Sequence, residues 1–296
     1  MRKLKHSIAA IGLSSLLVAA GCSNDDSNGD DFSENVNYTI SGIESGAGIM
    51  QAADRALDEY DSLEGWTLLP SSTGPMAIAL DNAIRDEDPI IITGWTPHWM
   101  FAKYDLKYLE DPKKALGETE HISTMAREGL EKDNPDAYKL LDQFKWSVEE
   151  IESVMLEASE EGDPEAAARN WIEDNPDRVA EWTNGVAEGN GQEISLTYTE
   201  QDTELASTNV LKHVFEDLGY EVTITPVDIA IMWQSVATGE ADATLGGWLP
   251  TTHGDLYNEY KDQLVDLGAN LEGAKLGLVV PSYVEADSIE DLKPKE

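Results

Sequence analysis

Two short stretches of this chain carry the side chains best suited to hold a small ligand. They are Gly94-Trp95-Thr96-Pro97-His98-Trp99 and Gly247-Trp248-Leu249-Pro250-Thr251-Thr252-His253. An indole face is the strongest aromatic partner for a cation. Two of them suit a methylated ammonium group, which has no N–H to donate and must be held by π-faces and dispersion. The turn Ser45-Gly46-Ala47-Gly48-Ile49 offers the complement. Backbone N–H groups at a helix N-terminus bind an anion, and glycine lets the backbone come close; a simple tight turn is the plainer reading of the same residues. His253 stands where it can donate to a carboxylate, although a solvated surface histidine is commoner. A small zwitterion satisfies both ends. His98 has the equivalent place after the first stretch, but Trp99, Met100 and Phe101 beside it point to packing, so it is given no ligand role.

Arrangements for catalysis are missing from the sequence. There is no H-E-x-x-H, no G-x-S-x-G and no P-loop. With 58 Asp and Glu residues, chance carboxylate pairs carry no information about hydrolysis. An extracellular glycoside hydrolase with Trp platforms is the enzyme alternative; it needs two carboxylates flanking the cleft, whereas His, Thr and Pro lie nearest the Trp turns. No metal and no cofactor are expected.

The elements that must position these residues repeat. Asn37–Ile43 reads as a strand, Ile49–Tyr60 as a helix, Trp66–Leu69 as a strand, Pro75–Arg85 as a helix capped from Ser71–Gly74, and Pro89–Thr93 as the strand leading to the first Trp turn. After a helical middle from about Met125 to Val186, the order returns. Ile194–Tyr198 is a strand, a helix capped by Thr203 or Thr208 reaches Leu218, Glu221–Thr225 is a strand, Ile229–Ala237 a helix, and Ala241–Gly246 leads to the second turn. In each copy the glycine is expected to let the backbone turn and the proline to end the pairing. Trp146, Trp171 and Trp182 read as packing between the middle helices. A helix at Gly254–Lys261, a strand at Gly273–Val280 and a last helix starting at Ser288 close the chain. The order predicts a mostly parallel sheet with helices on both faces, and two α/β lobes with a ligand cleft between them.

The formal net charge is -38, with Lys+Arg 20 against Asp+Glu 58. That excludes nucleic acid as a partner and suits a surface that stays hydrated at high salt. The one cysteine, Cys22, follows a basic start, an apolar run from Ile8 to Ala20 and the small residues Ala19-Ala20-Gly21. Residues 1–21 thus read as a lipoprotein signal peptide, with Cys22 the lipidated N-terminus of the mature chain. Residues 22–35, rich in Ser, Asn, Asp and Gly, read as a flexible tether.

Both Trp stretches, the first extended through Met100-Phe101-Ala102-Lys103-Tyr104-Asp105-Leu106-Lys107-Tyr108-Leu109, resemble the signature regions of the glycine betaine binding proteins of ABC transporters. Leu205-Ala206-Ser207-Thr208-Asn209-Val210, Gly277-Leu278-Val279-Val280-Pro281 and Ser288-Ile289-Glu290-Asp291-Leu292 match as well. The likeness covers nearly all of the mature chain and is closest to the Bacillus-type lipoprotein. It implies an α/β, two-lobe, periplasmic-binding-protein-like (Venus flytrap) fold. One lobe is expected from residues 36–120 plus 282–296 and the other from 121–281, with hinge segments near His121 and Pro281. The implied protein is an extracytoplasmic receptor, lipid-anchored on the outer face of the bacterial cytoplasmic membrane. It would act as a monomer and deliver a small zwitterionic osmolyte to ABC permease subunits for osmoprotection. Glycine betaine is the implied ligand; dimethylsulfoniopropionate, proline betaine, carnitine and choline are alternatives in the same class. The resemblance also implies a box of three Trp around the trimethylammonium group. Trp95 and Trp248 match two of them, and Gln201 stands where the family has the third. The carboxylate contacts map onto the backbone N–H groups of Gly48 and Ile49 and the side chain of His253. A missing wall weakens cation–π binding by roughly 0.5–2 kcal/mol. Gln201→Trp is therefore expected to tighten betaine binding in a calorimetric titration, and an unchanged or weaker affinity removes Gln201 from the wall.

Overall fold

Short β-branched runs alternate with amphipathic helices along most of the chain, and a computed structural model describes them over residues 32–296, one compact unit. Helix α1 (Phe32–Asn35) leads to β1 (Thr39–Ser41), α2 (Gly48–Glu59), β2 (Thr67–Leu69), α3 (Thr73–Asp86) and β3 (Ile92–Thr96). Then come α4 (Trp99–Lys103), β4 (Leu106–Tyr108) and β5 (Glu120–Arg127). The helical middle is α5 (Leu130–Asp133), α6 (Pro135–Gln143), α7 (Val148–Glu161), α8 (Pro164–Asp174) and α9 (Pro176–Trp182). The second alternation is β6 (Glu193–Tyr198), α10 (Asp202–Asp217), β7 (Glu221–Pro226), α11 (Ile229–Thr238) and β8 (Ala243–Leu249). Helix α12 (Gly254–Tyr260) and β9 (Leu264–Pro281) complete it. Local chemistry starts the middle helices where the sequence signals them. Asn134 and Asp163 accept from N–H groups in the first turns of α6 and α8, each with Pro at the first position, and Ser147 and Glu150 form a reciprocal capping box on α7.

The strands follow the order β2-β1-β3-β9-β5-β8-β6-β7, with β4 also on β9. Pairing within each alternation is parallel: β1 with β2 and β3, β6 with β7 and β8. The mostly parallel sheet expected from the sequence is corrected to a mixed one, because β9 and β5 pair antiparallel with their neighbours. Strand β9 has 18 residues, far beyond the expected Gly273–Val280. Its first part pairs β5 as far as Ala274, and from Lys275 onward it pairs β3. It thereby serves both halves of the sheet. Strand β5 overlaps the start expected for the helical middle. Its polar Ser123 and Thr124 are buried and hid the strand pattern.

Two large hydrophobic cores lie in the two halves. One includes Ile40, Leu80, Ile92, Met100, Val279 and Ile289; the other includes Ile122, Leu140, Phe144, Trp182, Val210 and Phe215. Trp95 and Trp99 pack against both. Trp146, Trp171 and Trp182 pack on one another in the second core, Trp171 and Trp182 stacked at 5.6 Å. The tether is shorter than expected, because its last residues form α1, where Ser33 is buried and Phe32 packs on the first core. The last helix is a single 3₁₀ turn, Ile289–Asp291, capped by Ser288. Residues 1–31, with the signal peptide and Cys22, lie outside the described residues. Among the described residues no helix is long and apolar enough to cross a membrane.

The turns expected at Gly94 and Gly247 are not there. Each strand runs on through its Trp, Trp95 opposite Leu276 and Trp248 opposite Ile122, and stops at a cis proline, Pro97 or Pro250. The glycines answer to packing instead. A Cβ on Gly94 would stand 2.5 Å from Val279 Cγ2 and 3.0 Å from Met100 Cε. Gly94→Ala is expected to overpack this contact and destabilise the fold by about 1–3 kcal/mol, read as a lower denaturant midpoint at unchanged slope; a wild-type midpoint would show that Val279 yields freely.

Candidate ligand site

The second Trp turn is locked by its own histidine and by a carboxylate from β5. The Trp248 backbone N–H donates to His253 Nδ1 at 3.1 Å. His253 is buried, and burial pulls its imidazole down to about 4, with the Gly246 carbonyl pulling the other way. The ring is therefore neutral at neutral pH. With Nδ1 accepting, its proton sits on Nε2, the atom left to donate. Glu120, also buried, accepts from the Thr251 and Thr252 N–H groups at 2.7 Å each, and from the Thr252 hydroxyl. A lone pair on a ring and three donors on one carboxylate leave this loop little freedom.

The first Trp turn is held in a parallel manner. His98 caps α4 through Nδ1, which accepts from Met100 N–H at 3.2 Å. Its ring is fully buried, stands edge-on to Trp95 at 4.6 Å between centroids, and is lowered by burial to about 4. The expected packing role for His98 is what the structure shows. Its Nε2 nonetheless has no hydrogen-bond partner among the described residues, the Asp202 carboxylate lying 3.9 Å away. The His98 backbone N–H donates to Glu152 on α7 at 3.1 Å. Burial pushes the Glu152 carboxyl up to about 7, against the lowering effect of that bond.

The start of α10 joins the two turns. The Thr203 hydroxyl reaches the Pro97 carbonyl at 3.4 Å, and Glu204 Oε1 accepts from the Trp248 indole N–H at 2.9 Å. Gln201 is the N-cap residue of this helix in place of the expected Thr203 or Thr208, and its side chain makes no cap bond. Gln201 is exposed, while Thr203 and Glu204 are buried. Gln201 thus stands two residues before the Thr203 that meets the Pro97 carbonyl, with its own side chain exposed.

Gly48 and Ile49 are the first two residues of the 12-residue helix α2, after Ala47 as N-cap. Neither backbone N–H donates to another group among the described residues, so both are free for an anion. A Cβ on Gly48 would stand 3.7 Å from Thr252 Cγ2, which places this helix end against the second Trp turn. The structure thus brings Gly48 to the Trp248–His253 loop, and Pro97, two residues after Trp95, to the start of α10, which follows Gln201. Among the described residues no cluster of three His, Cys, Asp or Glu could hold a metal ion.

Sequence reasoning missed Glu120, Glu152 and Glu204. The signal for Glu204 was faint: an acidic residue inside the otherwise small and apolar run Thr203–Val210.

Residues 23–174 and 192–296 match the OpuAC family, described as the substrate binding domain of ABC-type glycine betaine transport system. The chain belongs to this family. It is 50% identical over 265 residues to the glycine betaine/carnitine transport binding protein GbuC of Listeria monocytogenes serotype 1/2a (strain 10403S), covering 89% of this chain and 88% of that one. Among solved structures it is similar to lactococcal OpuAC in its closed-liganded conformation with glycine betaine, at 51% identity and a TM-score of 0.46, over 51% of this chain and 59% of that chain. It is also similar to an ABC-transporter choline binding protein in complex with choline, at 27% identity and a TM-score of 0.44, over 63% and 61% of the two chains. Family membership makes this an extracytoplasmic solute-binding component of an ABC importer, with permease subunits as its partners.

Glu152 gives the fold a pH dependence of known sign. Its folded carboxyl is raised to about 7 from an ordinary value of 4.5. Its favourable contribution is complete below 4.5 and is lost as pH rises through 7, because only the unfolded chain then gains from ionising. Glu152→Gln keeps an acceptor for His98 and removes the titration. Denaturant unfolding at pH 5 and pH 8 should show the variant gaining on the wild type at the higher pH; parallel behaviour of the two would assign Glu152 an ordinary carboxyl.

Proposed function

We propose that this chain captures glycine betaine, or a closely related methylated zwitterion, between Trp95 and Trp248 and hands it to the permease. The observation that carries this reading is the nearness of opposite chemistries: two free N–H groups at the start of α2 lie beside the loop that carries Trp248 and His253, whose neutral imidazole keeps an Nε2 proton to donate. These three donors suit a carboxylate, and the indole faces suit the cation. Family membership and the name of the Listeria relative support the same ligand class.

In the same proposal, residues 36–120 plus 282–296 form one lobe and 121–281 the other; most core residues divide that way, although Leu278, Val279 and Val280 pack in the first core. The crossings near His121 and Pro281 act as hinges. Ligand stabilises the closed state by its differential affinity for it. Cys22 carries a lipid anchor on the outer face of the membrane, and the chain works as a monomer. No bond is made or broken.

A bulkier ligand is the second reading, favoured by one feature: Gln201 is exposed and makes no cap bond, so the third side is loosely walled. Carnitine is the natural competitor, as it keeps both the trimethylammonium group and the carboxylate.

Titration of the purified chain with betaine, carnitine and choline by calorimetry tests both readings. Saturable betaine binding is expected, weakened by roughly 0.5–2 kcal/mol in Trp95→Ala. Absence of heat at millimolar betaine overturns the proposal, and a clear preference for carnitine selects the second reading.

A further inference from the structure

The wall formed by Trp248 has a carboxylate behind it. Glu204 lies on the first turn of α10, is 3% exposed, and takes the indole N–H of Trp248 on Oε1 at 2.9 Å. Its other oxygen, Oε2, is buried without a well-formed hydrogen bond. The neighbouring strand is shaped around it: a Cβ on Gly246 would stand 2.7 Å from Glu204 Cγ. The fold thus reserves space for a carboxylate in a place where burying charge is costly. A plain packing role would be met by an apolar side chain, and a plain hydrogen-bonding role by Gln.

We propose that Glu204 is a positioning residue for cation recognition: its negative charge, delivered through the indole N–H, fixes the ring of Trp248 and enriches the π-face that meets the methylated cation. A hydrogen bond from a donor to an anion polarises the donor group, and an indole that gains electron density at its face attracts a cation more strongly. The inference rests on the proposed placement of the ligand against Trp248.

The charge of Glu204 depends on its surroundings. Burial raises its carboxyl to about 7, while the Trp248 indole N–H, its own backbone N–H and the Thr199 hydroxyl lower it, and Asp202 on the same helix raises it. Around it, β8 contributes Trp248, whose backbone N–H is held by the neutral ring of His253, and the charged group that faces it is Asp202 on its own helix. A cation arriving at the indole favours the ionised form of Glu204. Betaine binding is therefore expected to release protons near neutral pH, and betaine affinity is expected to rise from pH 6 to pH 8.

The test is calorimetric titration with betaine across that pH range, in two buffers of different ionisation heat. For the wild type, proton release and rising affinity are expected, and pH-independent affinity without proton release overturns the inference with no mutation needed. Glu204→Gln keeps volume and acceptor but not charge. It is expected to bind betaine about three- to tenfold more weakly at pH 8 and to lose the pH slope, with its unfolding temperature not lowered. Wild-type affinity and slope in this variant, or a slope that disappears in Glu152→Gln and not in Glu204→Gln, contradicts the inference. Trp248→Ala separates the two levels: if it binds betaine like the wild type, the placement of the ligand fails. If it loses betaine while Glu204→Gln behaves as wild type, only the role of Glu204 fails.

Discussion

A π-face attracts a cation usefully only where the ring cannot turn away and water is kept out, and in the proposed site buried carboxylates supply that constraint. Glu120 gathers three donors from the loop after Trp248. Glu204 takes the indole N–H of Trp248 itself, and Glu152 takes the backbone N–H of His98 after Trp95. Each carboxylate belongs to a different element, β5, α10 and α7, so each Trp turn is tied to a part of the fold remote in sequence. A buried charge is tolerated only when it is bonded. Glu152, bonded to the His98 N–H, and Glu204, bonded to the Trp248 indole while its Oε2 lacks a well-formed bond, are both pushed up to about 7. The surface of this chain is crowded with acid, but the few acidic groups inside it do the positioning.

The same logic links the halves of the molecule. Strand β9 pairs with β5 over its first part and with β3 over its second, so the sheet carrying Trp95 and the sheet carrying Trp248 share one strand. Trp95 and Trp99 touch both cores. In the proposed two-lobe arrangement, contacts such as Thr203 with Pro97 and Glu152 with His98 form across the closed cleft, and ligand adds its own contacts to theirs. Closure then depends on a modest set of polar bonds that open and reform, which suits a receptor that must release what it binds.

The motif residues were legible in the sequence because their chemistry is rare: two Gly-Trp-x-Pro stretches, a Gly-rich helix start and a histidine at fixed spacing. The parallel alternations were legible from their periodicity. What escaped did so for physical reasons. Strand β5 carries Ser123 and Thr124, whose burial is set by partners on either side, not by local pattern. The first part of β9 contains Gly268 and Asn270 and reads as a loop until β5 is placed beside it. Glu204 and Glu120 could not be told from dozens of other acidic residues, since only three-dimensional packing shows which of them are buried. The glycines before each Trp were misread as turn residues because close approach of Val279 to Gly94, and of Met125 and Ser123 to Gly247, leaves no trace in local sequence.

A crystal structure of the chain soaked or grown with glycine betaine tests the central claim most directly. The account predicts the trimethylammonium group between Trp95 and Trp248, and the carboxylate within hydrogen-bond distance of the Gly48 and Ile49 N–H groups and His253 Nε2. A ligand bound away from these residues, or bound with its carboxylate toward Gln201, would contradict it.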